Sequence, residues 1–156
     1  MDKKGSVLMS DTRSRLTQSP NRLVGTVFGA VYLLIGLLGF AYTGGVGFIA
    51  PEGGLILGIF EVNPLHNVAH LLIGAALLIA GITSVRAARS ANGVVGIAYL
   101  ALGIVGFFLA ADPSSSLNFL ALNMPDHFLH LASAVILGGV ALGADKVQHA
   151  RTASLA

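Results

Sequence analysis

Residues 29–40 read GAVYLLIGLLGF, and residues 96–107 read GIAYLALGIVGF. Gly29, Tyr32, Gly36, Gly39 and Phe40 of the first stretch match Gly96, Tyr99, Gly103, Gly106 and Phe107 of the second at one constant offset. Gly29 with Gly36, and Gly96 with Gly103, fall on one face of a helix, and Gly25 with Gly29 forms a G-x-x-x-G pair. Glycines so spaced let two helix backbones approach in lipid, where no hydrophobic drive acts between helices. The two stretches therefore predict the first members of two helical hairpins in a membrane.

The sequence on either side supports this. The chain is 54% hydrophobic and 10% charged, too apolar for a domain with a solvated surface. Four apolar runs are long enough to cross a bilayer: Leu23 to Tyr42, Pro64 to Val85, Gly93 to Ala111 and Pro125 to Gly143. The first is longer than the apolar core of a secretory signal and reads as a retained span. Having no cysteine, the chain offers no disulfide, thiolate metal site or c-type haem attachment.

The second members of the hairpins match as well. LGIFEVNPLHNVAHL (57–71) aligns with LNFLALNMPDHFLHL (117–131), pairing Asn63 with Asn123, His66 with Asp126, Asn67 with His127 and His70 with His130. The expected architecture is an all-α four-transmembrane-helix bundle made of two parallel helical-hairpin repeats, 21–85 and 92–145, within a membrane domain 21–145. A mobile basic tail, 1–20, precedes it and a tail of residues 146–156 follows.

Charge sets the expected orientation. Lys3, Lys4, Arg13, Arg15 and Arg22 precede span one, Arg86 and Arg89 separate spans two and three, and Lys146 and Arg151 follow span four. The opposite loops carry Glu52, Glu61, Asp112 and Asp126 and no basic residue, which places both termini in the cytoplasm of a plasma membrane. Basic residues that flank spans and form no groove argue against nucleic-acid binding. The outer loops turn from breakers to short greasy stretches, in which Phe48, Phe60 and Phe119 are expected to cover the bundle mouth.

Asn63 before Pro64 reads as a helix N-cap, and Asn123 with Asp126 as a capping box. His66 and His70 then share one face of span two, and Asp126 and His130 the corresponding face of span four, with His127 on its shoulder. His70 and His130 lie roughly 8 to 9 Å below the helix starts, where ionisable groups usually face the bundle interior. The ligand candidates are His66, His70, Asp126 and His130, residue types that suit a transition metal or, for facing imidazoles, a haem iron. H-x-x-x-H without an inner Glu lacks the base of a metalloprotease.

Three readings follow. In the first, a non-enzymatic structural or accessory subunit self-associates or joins a larger membrane complex, and its histidines hydrogen-bond one another or the tyrosines to close the outer mouth. In the second, the histidines bind a metal, haem or quinone. The third makes Glu61, Asp126 and the histidines a proton or cation entry, but the inner halves of spans two and four, ALLIAGI and VILGGVALG, continue no polar path. His149 reads as a solvated cytoplasmic residue.

LGIFEVNPLHNVAHLLIGAALLIAG, with the spans beginning GAVYLLIG and GIAYLALG, resembles a family of small four-span bacterial membrane proteins, mostly actinobacterial, catalogued as a domain of unknown function. The likeness covers Asn21 to Gly143 and centres on F-E-V-N-P-x-H-N-x-x-H. It implies a four-span integral membrane protein and carries no activity. It also implies Asn where His127 stands, which favours His66, His70, Asp126 and His130 as the ligand set.

Overall fold

The computed structural model describes residues 19–109 and 115–145. The N-terminal tail to Gln18, Asp112 in the second outer loop and the C-terminal tail from Lys146 lie outside the described residues, so the readings placed on them stay expectations. Four helices are long and apolar enough to cross a membrane. They are α1 (Pro20–Gly39), α2 (Pro64–Thr83), α3 (Val85–Leu109) and α4 (Met124–Gly139), the last running on into a π-helical turn, Val140–Ala144. α1 packs mainly on α2 and α3 mainly on α4, with lighter contacts between the pairs.

α2 and α4 start at the expected Asn caps, and α1 starts at a cap the sequence reading did not include. Ser19, Asn63 and Asn123 each accept a backbone N–H of the first turn, with proline in that turn each time. In α4 the Asp126 carboxylate returns the bond to the Asn123 amide, completing the capping box. The second and third spans are not joined by a loop. Only Ser84 breaks the helix, its hydroxyl accepting from the Ala87 amide, so Arg86 and Arg89 sit in the first turns of α3.

The buried face of α1 is Asn21, Gly25, Gly29, Tyr32, Gly36 and Gly39, while Leu23, Leu34, Leu37 and Leu38 point outward. Tyr32 is 4% exposed and Leu34 66%, the inverse of a soluble bundle and the arrangement lipid favours. A side chain at Gly29 would strike the backbone of Gly74 and Leu78, and one at Gly96 the backbone of Gly138. Gly39 lies against Asn67, and Gly106 against the His127 ring. Between the seams a core of Tyr32, Leu77, Val95, Tyr99, Ala134 and Leu137 fills the centre.

The ends of the bundle carry matched polar bonds. The Arg22 guanidinium donates to the carbonyls of Gly81 and Ile82 at the end of α2, and Arg89 donates to Ala141 O in the π-helical turn. Helix ends leave carbonyls unsatisfied, and a cation is the natural partner for them. Asn92 donates to Asn21, which in turn donates to Val140 O and Asp145.

The opposite end departs from an all-helical plan. β1 (Gly54–Ile56) and β2 (Phe60–Val62) form an antiparallel hairpin, Ile56 opposite Phe60, turning through Leu57 and Gly58 with φ of 54° and 71°. The greasy segment was expected to lie in the interface or fold back over the bundle mouth, with no strand. It is instead a strand pair because Gly53 and Gly54 allow a backbone approach no side chain would tolerate, to Val62 and Tyr42 respectively. Of the three phenylalanines expected to supply the cover, Phe60 is half-buried in β2 while Phe48 and Phe119 are exposed, and Ile56, Val62, Ala121 and Leu122 are buried.

Candidate metal centre

Each Asn cap does more than start a helix. Asn63 also donates to Ala50 O and to Phe119 O in the second half, while Asn123 donates to Ile59 O in the first. The Glu61 amide donates to Asp126 Oδ2, and Glu61 itself accepts from the Gly53 amide. These reciprocal bonds fix the first turns of α2 and α4 beside each other.

One to two turns further in, His66, His70 and His130 converge. One ring nitrogen from each lies within 4.8 Å of the other two. All are buried, at 3%, 7% and 3% exposure. His66 and His70 have ring centroids 4.3 Å apart, and His66 and His130 6.2 Å. The His66 ring also meets the backbone carbonyls of Glu61 and Leu120.

The tyrosines of the repeated stretch wall the cluster from inside. Tyr32 stacks on His70 with centroids 5.4 Å apart, and Tyr99 stacks on His130 at 4.8 Å. The two tyrosines meet edge to face at 5.5 Å, and the Tyr32 hydroxyl bonds to Ser133 Oγ on α4 at 3.0 Å. The Tyr99 hydroxyl is buried with no hydrogen-bond partner among the described residues. The stacking was not foreseen, although the shared offset of Tyr32 with Tyr99 and the pairing of His70 with His130 were its signal.

The polar accounting of the cluster does not close. Nδ1 of His66, of His70 and of His130 is buried with no hydrogen-bond partner among the described residues. Nearly every buried polar group in a folded protein is paired, so three orphans in one place call for something to pair them. Asp126, the fourth expected ligand, stands apart: its carboxylate accepts from the Asn123 and Glu61 amides. His127 is buried against Gly106 and Phe107, outside the triad.

The model of one family, described as a domain of unknown function, DUF4383, matches residues 22–143. The chain belongs to this family. It is a small multi-pass bacterial membrane protein with a buried histidine triad able to coordinate a metal ion. No curated protein and no solved structure matches it.

Proposed function

We propose that this DUF4383 member is a metal-binding membrane module in which His66, His70 and His130 hold one transition ion. The observation that carries the proposal is the set of three orphaned Nδ1 atoms in imidazoles whose ligating nitrogens lie within 4.8 Å of each other. Tetrahedral ligands on zinc sit about 3.3 Å apart, so small ring rotations bring the triad onto an ion. Imidazole suits zinc, copper, iron and nickel, and copper(II) binds most tightly in that series. Three protein ligands leave a fourth position open. A haem is poorly accommodated, because tyrosine rings already stack on His70 and His130.

The module binds and does not make or break bonds. Supporting this, the two carboxylates that the sequence reading grouped with the histidines, Glu61 and Asp126, are engaged by backbone amides. The two hairpins are copies of one unit, supported by the paired Arg22 and Arg89 clamps and the paired tyrosine–histidine stacks. With Arg22, Arg86 and Arg89 at the far end, the triad faces the outer compartment and both termini the cytoplasm. Nucleic acid has no part in it.

A second reading, a structural or accessory subunit that self-associates or docks on a larger membrane complex, is favoured by the tyrosine stacks, which would close the bundle with no ion at all. Elemental analysis of untagged protein, purified without chelator beside His70→Ala and His130→Ala variants, separates the two. One equivalent of zinc or copper, lost in both variants, supports the centre. An empty, equally folded wild type returns the triad to a structural role.

A further inference from the structure

At the opposite end of the molecule, α3 and the end of α4 meet closely at Gly96 and Gly138, and along their shared outer face runs a groove of about 880 Å³. Its walls are almost wholly apolar, and Arg86, Arg89 and Ser90 stand at one end of it. The groove exists because side chains are missing. A Cβ on Gly138 or Gly139 would meet nothing within 4 Å, and one on Gly93 only the Ala141 methyl at 3.6 Å. The matching positions of the first hairpin are Thr26, Leu78 and Ile79. There α1 and α2 close tightly, Gly81 lying against Thr26 and Gly29 against the backbone of Leu78. So the first hairpin carries side chains at the positions where the second has glycine and the groove.

We infer that the α3–α4 groove is a binding site for one anionic phospholipid, its acyl chain along Gly93, Gly138 and Gly139 and its phosphate at Arg86 and Arg89. The charge pattern selects this occupant: two guanidinium groups stand where the apolar trough meets the membrane surface. Arg89 is held at the rim by its Nε bond to Ala141 O at 2.7 Å, and the Arg86 side chain beside it is exposed. Planar guanidinium forks suit phosphate oxygens. The basic end also faces the leaflet that carries anionic lipid.

The test is native mass spectrometry of delipidated protein in mild detergent, titrated with phosphatidylglycerol and, separately, phosphatidylcholine. One phosphatidylglycerol is expected to stay bound under conditions that strip phosphatidylcholine. Arg86→Gln should weaken it about fivefold, the worth of one basic side chain near an anionic surface. Gly138→Leu, which restores the residue of the first hairpin, should remove binding without lowering thermal stability. Equal retention of both lipids, or full retention by Gly138→Leu, overturns the inference. Displacement by equimolar inorganic phosphate would reveal a free-anion site, and a dimer that Gly138→Leu turns into a monomer would make the occupant a second copy; either result also overturns it. If Gly138→Leu fails to fold, the Arg86→Gln titration decides alone.

Discussion

Replacing His70 by Phe should change the sign of its effect on stability when metal is added. Phe keeps an aromatic ring against Tyr32, where the present stack is 5.4 Å between centroids and 26° between planes. It also deletes an Nδ1 that has no partner. Leaving a buried polar atom unsatisfied costs about 1–3 kcal/mol, so the metal-free variant should be more stable than wild type by up to that amount, less the cost of fitting a larger ring. With zinc at a hundred times its dissociation constant, wild type gains about 2.7 kcal/mol, or about 5–10 °C for a chain of this size. The variant has lost one of three ligands and should gain almost nothing, so the ranking reverses. The chain has no tryptophan, so melting is best followed by far-UV circular dichroism in detergent, after chelator treatment and after adding zinc back. A variant less stable than wild type without metal, or an equal rise in both proteins with it, would refute the reasoning.

Other consequences can be checked on the same preparation. Acidification should eject the ion: ligation needs neutral imidazole, so retention falls as pH drops below the range in which histidine is uncharged, and elemental analysis across a pH 8 to 5 series, about the span in which histidine changes charge, reads it. Gly106→Ala drives a methyl into the His127 ring and should cost about 1–3 kcal/mol, whereas Gly138→Ala meets open space and should gain about 0.5–1 kcal/mol; thermal melts compare them. Asn63→Ala removes a cap and two further bonds, to Ala50 O and Phe119 O, for about 2–4 kcal/mol against about 1 for Ser19→Ala, which loses one cap bond; denaturation of the pair tests it. In whole cells an impermeant maleimide should label Glu52→Cys and spare Arg86→Cys, a clean comparison in a chain without cysteine.

The spans, their caps and the glycine seams were legible because each depends on a local signal: run length, Asn before Pro, glycine at helical spacing. The triad was half legible. Repeat alignment brought His70 and His130 together, but it also paired His66 with Asp126, and symmetry alone gave them equal standing. What separates them is the second helix cap, which engages Asp126 through Asn123, and the Glu61 amide arriving from the other half. The β-hairpin was hidden because strands of three residues carry no periodicity, and its turn places Leu57 at a positive φ where glycine would be the usual signal. The Arg22 and Arg89 clamps were present in the alignment, at the same offset as Gly29 and Gly96, and were read only as orientation charges.

The crossed bonds at the outer end impose an order on synthesis. Asn63 reaches Ala50 O in its own half and Phe119 O in the other, and Asn123 reaches Ile59 O, so each lid is held in part by the opposite hairpin. Until α4 is made, the first hairpin has only half of its latch bonds and only His66 and His70 of the triad. His130 arrives with the final helix, in the same stretch as the second latch. If the triad holds an ion as proposed, its full ligand set waits for α4: a product ending before Asn123 would carry neither the second latch nor the third ligand.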